Sequence, residues 1–289
     1  MKIDLHVHTS TGSDGAFTLE EIFREAVHRN IDLLSVTDHD AIHHQGQAVA
    51  LAAEHGITYI TGVELNVTFQ YEDKSVSLDF LGYGYDYSDR ALKEKLEFIG
   101  DHREKRARRI LDNLNAEFVK EDRPLFTGKD LEIMQAGVDG VLGRPHIADY
   151  LIGKGIVGSR QEAFDKYLVK CDVPKYPLSL PEASELIKNA GGRLVLAHPN
   201  DPNGTSLVSI TTVLVEQTEI IEKNFMDYID GVECWHSRHD AATSSHYIDF
   251  CRRHGLLMTG GSDCHQKPIL LGSVAVPDFV AGQFLNNLL

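Results

Sequence analysis

Seven short apolar runs rich in β-branched residues alternate with amphipathic segments of helical period, and that alternation leaves few architectures open. The runs span residues 3–8, 33–38, 58–65, 76–83, 193–198, 229–235 and 256–263. The segments between them carry helix punctuation. Thr18 and Glu21 have the capping-box spacing, Pro181 opens a helical stretch, and Gly56, Gly191 and Gly255 each stand just past the end of one. Alternating strand and helix predicts a parallel sheet, and near-continuously apolar strands predict burial on both faces. The pattern breaks between the fourth and fifth runs, where residues 89–175 carry a long charged helical stretch over 90–117 and no convincing strand. The expectation is an α/β body formed by residues 1–88 and 176–289, with a mostly helical insertion between strands four and five.

Charge and composition remove several function classes. Lys and Arg number 28 against 43 Asp and Glu, a net charge of −15. A surface that acidic repels phosphate backbones and anionic lipids, so tight binding to a nucleic-acid polymer or a membrane is not expected. No apolar run approaches the ~20 residues that span a bilayer. The start, Met1-Lys2-Ile3-Asp4, lacks the apolar stretch of a secretory signal. Cys171, Cys234, Cys251 and Cys264 form no Cys-x-x-Cys pair, so neither a disulfide framework nor a zinc ribbon is indicated. These features predict a cytoplasmic chain and leave its oligomeric state open.

The chain has 15 histidines, and several stand beside Asp or Glu where apolar runs end. The first run ends His6-Val7-His8, whose imidazoles share a face because residues two apart on a strand do. Asp14 follows in a turn. The second run ends Asp38-His39-Asp40, the third carries Glu64, the fifth ends at His198, and the seventh leads into Asp263-Cys264-His265. Each has a bland reading alone: a lone His-x-His is weak, Ser13-Asp14-Gly15 is a turn, and Asp38 or Asp40 could cap a helix. The conjunction decides. Active sites of parallel α/β barrels gather at the C-terminal ends of strands, and five of seven runs here end in His, Asp or Glu. Buried imidazoles and carboxylates are costly unless paired or metallated, and this mixed donor set suits a site holding more than one Zn, Mn or Fe ion.

These motifs, His-x-His-Thr at 6–9, Thr-Asp-His-Asp at 37–40, Glu64, Ala-His-Pro at 197–199 and Gly-Ser-Asp-x-His at 261–265, resemble the polymerase-and-histidinol-phosphatase (PHP) family in order and along the whole chain. The resemblance implies a distorted seven-stranded (β/α) barrel holding up to three divalent ions. Carried over, it assigns His6, His8, Glu64 and Asp263 to one ion, Glu64 and His198 to a second, and Asp14, His39 and His265 to a third. Many members carry a histidine before the Leu-Gly of strand four, where this chain has Asp79. Asp79 is thus a candidate second-ion ligand of altered metal preference.

Gly143-Arg144-Pro145-His146 offers a forked cation suited to phosphate oxygens and matches the small-molecule phosphoesterase branch of the family. Arg144 is therefore the leading phosphate-binding candidate, followed by Lys175, Tyr176 and His239, while His236 could equally lie at the surface. The basic run 103–109 reads as a solvated helix face. His28, His43, His44, His55, His102, His246 and His254 read as surface residues, and Trp235 and Tyr247 as core or pocket wall. Such a site suits hydrolysis of phosphate esters by a hydroxide bridging two ions, oriented by Asp263, with His198 or His39 protonating the leaving alkoxide. The expected substrate is a small phosphorylated metabolite such as a nucleotide or sugar phosphate, as monoester or cyclic phosphodiester. Histidinol phosphate is the alternative substrate, and a non-catalytic metal-binding or polymerase-associated module the alternative class.

Overall fold

The capping box at Thr18 forms in both directions. Thr18 Oγ1 accepts from the Glu21 N–H at 3.3 Å and Glu21 Oε2 from the Thr18 N–H at 2.9 Å, which starts helix α1 (Leu19–His28). The computed structural model describes residues 1–136 and 142–285. Helix α2 (Gln45–His55) does not reach back to the preceding residues, which are recruited elsewhere: Asp40 pairs with Arg103 and His44 with Asp38. Gly56 takes up its left-handed C-cap at φ 68°.

The strands form two sheets. Strands β1 (Ile3–Asp4), β2 (Leu33–Leu34) and β3 (Thr58–Tyr59) pair in parallel. A five-stranded mixed sheet follows, in the order β4 (Gly62–Tyr71), β5 (Lys74–Tyr83), β6 (Arg193–Leu196), β7 (Gly231–His236) and β8 (Leu257–Gly261). Strand β5 runs antiparallel to both β4 and β6, where a wholly parallel sheet was expected. The cause is the connection: only Glu72 and Asp73 separate β4 from β5, with Glu72 at φ 51°, and a parallel pair needs a crossover of roughly a dozen residues. The third expected run breaks after Tyr59, giving eight strands rather than seven.

The described ladders do not close into a barrel. Isolated bridges join the two sheets instead, Val7 with Cys264 on one side and His39 with Glu64 on the other. At the first seam Leu5 donates to Gly260 O (3.2 Å) and His8 to Cys264 O (3.2 Å), while the buried carboxylate of Asp4 accepts from the Ser262 and Gly272 N–H groups at 2.9 and 2.7 Å. The seams place the residues that follow β1, β2 and β8 against Glu64.

Helices α7 (Leu180–Asn189), α8 (Leu214–Asn224), α9 (Ala241–His254) and α10 (Phe279–Leu285) cover the sheets. The described residues between β5 and α7 form helices α3 (Arg90–Lys120), α4 (Gly128–Ala136), α5 (Arg144–Gly153) and α6 (Arg160–Ala163), the last running into a π-helical turn at Phe164–Leu168. Its apolar side chains, among them Ile110, Leu114, Phe118, Ile147, Leu151 and Tyr167, make a core of their own. The first turns of α3 do not join it, since Leu92, Leu96 and Ile99 pack with Val63 and Leu65 in the core of the mixed sheet. Among the described residues no helix is long and apolar enough to cross a membrane.

Gly261 lies so close to His6 that a Cβ there would fall 2.3 Å from the His6 backbone nitrogen. Gly261→Ala forces the β1–β8 seam apart at a cost of about 1–3 kcal/mol, so the thermal midpoint falls by several degrees. A midpoint within one degree of wild type would show that the seam is not tightly packed.

Candidate metal centre

Glu64 and Asp263 sit at the middle of the site, each reaching imidazoles on both sides. Glu64 Oε1 lies 3.0 Å from His198 Nε2 and 3.5 Å from His6 Nε2, and its Oε2 lies 3.0 Å from His39 Nδ1 and 3.2 Å from His8 Nε2. Asp263 Oδ1 lies 3.0 Å from His265 Nδ1 and 3.4 Å from His8 Nε2, and its Oδ2 lies 3.3 Å from His236 Nε2. Two ring nitrogens, His6 Nε2 and His8 Nε2, face each other at 3.1 Å. Donors held about 2.1 Å from one ion stand about 3.0–3.4 Å apart in octahedral or tetrahedral geometry, and these separations fall in that range or at its edge.

The donor atoms fall into three groups within 4.8 Å of one another: His8, Asp14, His39 and His265; His6, His236 and Asp263; and His6, Glu64 and His198. Two carboxylates that each touch two groups are the arrangement that bridges neighbouring ions. His6 belongs to two groups, but Glu233 holds its Nδ1 at 3.0 Å, so its single free lone pair on Nε2 can serve one ion at a time. The set fits divalent ions. The buried atoms Asp14 Oδ1 and His236 Nε2 point into it without a hydrogen-bond partner, and mixed imidazole and carboxylate donors suit borderline cations.

Electrostatics agree. Burial alone would lift Glu64 and Asp263, yet the surrounding imidazoles hold both well below the usual carboxylate range. Burial opposes charge on His198, but the Glu64 hydrogen bond overrides it and lifts the imidazole to about 9. His39 goes the other way, lowered to about 4 by burial against the pull of Glu64. The cluster stabilises positive charge, whether as protons or as divalent cations.

Most of the expected ligands are brought together, with three regroupings. His8 groups with Asp14, His39 and His265 and also stands within the set expected around His6, 3.1 Å from His6 Nε2, 3.2 Å from Glu64 Oε2 and 3.4 Å from Asp263 Oδ1. His236, left undecided in the sequence, is buried beside Asp263. Asp79 belongs to none of the groups: Asn66 Nδ2 donates to its Oδ1 at 2.5 Å, and burial, with the Glu64 charge, lifts it to about 6. Glu233, unmarked in the sequence, is buried on β7 and accepts both from the His6 ring and from the His198 N–H at 2.8 Å. A carboxylate in the middle of the apolar run Gly231–Trp235 was its signal. His44 is not a surface residue. It reaches Asp38 Oδ2 at 3.0 Å, and Asp38 also accepts from the Thr9 N–H and from Ser13 Oγ at 2.6 Å each, which fixes the loop bearing Asp14.

A cavity of about 390 Å³ opens over the cluster. Asp14, His39, Glu64, His198, Asp263 and His265 line one wall, and Arg103, Arg106, Arg144, Arg160, Lys175 and Arg238 face the same space. Arg103 and Arg106 correct the reading of 103–109 as a solvated face, because spacing i, i+3 turns both toward the cavity, where they meet Asp40 and Asp172. Arg144 and Lys175 stand where the sequence suggested. Tyr176 and His239 do not line this cavity: Lys95 Nζ donates to the Tyr176 hydroxyl at 2.7 Å, and the His239 ring lies against His236 and Tyr247. Arg238, overlooked in the sequence, pairs with the buried Asp201 and lies 3.7 Å from Asp263 Oδ2.

The PHP domain model matches residues 4–168, more than half of the chain. The chain belongs to the PHP domain family. The 3',5'-nucleoside bisphosphate phosphatase of Chromobacterium violaceum is 31% identical over 91% of this chain and 87% of its own length. The 5'-3' exoribonuclease Rnm of Escherichia coli is 26% identical over 91% of this chain and 85% of its own. A structure described as a metal-dependent phosphoesterase, from Bifidobacterium adolescentis, superposes with a TM-score of 0.80 at 28% identity, covering 98% of this chain and 95% of that one. Family and relatives make the chain a hydrolase acting on phosphate esters.

Outer carboxylates that orient a ligating imidazole typically change metal affinity by roughly 10- to 100-fold. Glu233→Gln should therefore release metal at that much lower chelator concentration, read by competition with a coloured chelator. An unchanged competition curve would show that Glu233 does not orient His6.

Proposed function

We propose that this PHP-family chain hydrolyses phosphate esters of a small phosphorylated metabolite, a nucleotide or sugar phosphate, cyclic phosphodiesters included, with two to three divalent ions of Mn, Fe or Zn as cofactors. One observation carries the reading: a cluster of metal-type donors and six cationic side chains line the same 390 Å³ cavity. When bound, the ions supply Lewis acidity and acidify coordinated water. One ion would be held by His8, Asp14, His39 and His265 and a second by His6, His236 and Asp263, with Glu64 within reach of both sets. Asp79 is left out of the set, because its carboxylate is turned to Asn66.

The chain's own groups do the rest. Asp263 orients the attacking water. His198, whose Nε2 stands 3.0 Å from Glu64 Oε1, protonates the leaving alkoxide when only two ions are held, because His39 is then a ligand and His198 is not. Lys175, Arg238 and the free edge of Arg144 hold non-bridging phosphate oxygens as charge develops on them. Tyr176 and His239 drop out of this role because they lie off the cavity.

Two observations favour a substrate with a second phosphate, such as the bisphosphates in the name of the C. violaceum relative. Arg106 and Arg144 share the single carboxylate of Asp172, and no carboxylate among the described residues lies within 4.0 Å of Lys175 Nζ. Histidinol phosphate fits less well, because its ammonium group would face this cationic wall. A cavity of this volume, walled on one side by α3 and α5, also favours a small molecule over the polymers acted on by the exoribonuclease relatives.

The purified protein should hold two to three equivalents of Mn, Fe or Zn, and chelation should abolish phosphate release from a panel of small esters. His8→Ala should lose metal and activity together. Less than one equivalent after metal-supplemented growth would defeat the multinuclear centre, and a metal-loaded protein without turnover would leave a binding module. Arg144→Ala keeps its metal but should lose roughly 10- to 150-fold in kcat/KM, the value of a charge-assisted hydrogen bond. Faster turnover of long oligonucleotides than of mononucleotides would refute the small-substrate assignment.

A further inference from the structure

The cavity is lined almost wholly by charged and polar groups, and Phe164 is the only phenyl, phenol or indole ring among the described residues that line it. Two features aim it there. It opens the π-helical turn Phe164–Leu168, where the Val169 N–H donates to Phe164 O at 3.1 Å. Tyr167 and Leu168 are buried in the insertion core, and Phe164 packs against the same core while it also lines the cavity. Turns of this kind recur at functional sites. The Arg144 guanidinium lies over the ring, with Cζ 5.4 Å from the centroid.

Arg144 is thus held at two points. Its Nη1 donates to Asp172 Oδ2 at 2.7 Å, and its Cζ lies over the Phe164 ring, 5.4 Å from the centroid. Asp172 is itself fixed, since its Oδ1 accepts from Arg106 Nη2 at 2.5 Å and from the Val173 N–H at 2.8 Å. A guanidinium pinned along one edge and backed by a phenyl ring is a rigid plane, and such planes stack on nucleobases.

We propose that Arg144, backed by Phe164 and pinned by Asp172, is the platform on which a planar ring of the substrate stacks, so that the enzyme selects nucleotides over sugar phosphates. This rests on the phosphoesterase reading above and narrows its substrate class. In-plane donors of Arg144 still reach phosphate, while its open face takes the base. Phe164 acts through Arg144 and is a positioning residue.

The test measures kcat/KM of the metal-loaded enzyme on a mononucleotide and on the matching pentose phosphate that lacks the base. Wild type should favour the nucleotide by roughly 5- to 150-fold, the range that one stacked base gives. Arg144→Lys keeps the charge and loses the plane. It should bring this ratio close to one, whatever the loss in absolute rate. Phe164→Leu keeps the bulk and loses the ring, and should lower the ratio several-fold. Equal losses on both substrates in Arg144→Lys would reduce Arg144 to a phosphate contact and overturn the platform, as would an unchanged ratio in Phe164→Leu. A wild type that hydrolyses both substrates equally well overturns the platform alone. A wild type that hydrolyses neither of these, nor the matching nucleoside bisphosphate, overturns the small-metabolite reading and the platform with it.

Discussion

Four carboxylates, Asp14, Glu64, Glu233 and Asp263, lie at or beneath the floor of one cavity, and the structure around them follows from the need to compensate that charge. An unpaired buried carboxylate carries a penalty of several kcal/mol. Here seven imidazoles, those of His6, His8, His39, His198, His236 and His265 within reach of the carboxylates and His239 behind them, supply lone pairs for cations or protons for ion pairs. Meeting this demand bends the backbone. His198 and Asp263 adopt φ 22° and 51°, and Asp40, beside His39, adopts 50°. Non-glycine residues in that region are rare and gather at functional sites. The single bridges that join the sheets, Val7 with Cys264 and His39 with Glu64, fall in the same place. Regular pairing gives way there to ligand geometry.

The second organising field is positive. The chain carries a net charge of −15, yet Arg103, Arg106, Arg144, Arg160, Lys175 and Arg238 share one cavity. The arginines are tethered by acids, Asp40, Asp172, Asp149 and Asp201. The acids fix the direction of each cation. An acidic exterior with an inward-facing cationic wall concentrates small anions in the cavity and repels chains of phosphate that must lie along the surface.

Much of this was legible in the sequence because ligand residues sit where strands end, and strand ends are marked by loss of apolar character. His6, His8, His39, His198, Asp263 and His265 all met that condition, whereas Glu64 lies inside β4 and showed as a charge within an apolar run. The antiparallel β4–β5 hairpin did not, because Glu72-Asp73 lacks the glycine that usually announces a two-residue turn. The hydrogen bond of Asp79 to Asn66 was hidden for the same reason: two residues paired across a reversed strand cannot be read from their neighbours in sequence. Arg103 and Arg106 were hidden in a basic run whose cavity-facing pair only helix phase and the docking of α3 reveal. Glu233 lies inside an apolar run and His236 just past its end, positions where a polar residue has many bland explanations and only contact with His6 and Asp263 gives the specific one.

Helix α3 packs its first turns into the sheet core through Leu92, Leu96 and Ile99, lines the cavity with Arg103 and Arg106, and continues into the insertion core through Ile110, Leu114 and Phe118. A helix rises 1.5 Å per residue as one stiff rod, so these three engagements share a single register. The insertion therefore cannot be inherited as a free cassette. A recombinant that joined this α3 to another relative's sheet would rotate the arginines by about 100° for each residue of misalignment, and would lose its cationic wall while keeping its metal ligands. Among homologues, changes in helix length at this junction are expected to come as whole turns, and substrate range to track the sequence of α3 more closely than that of the strands.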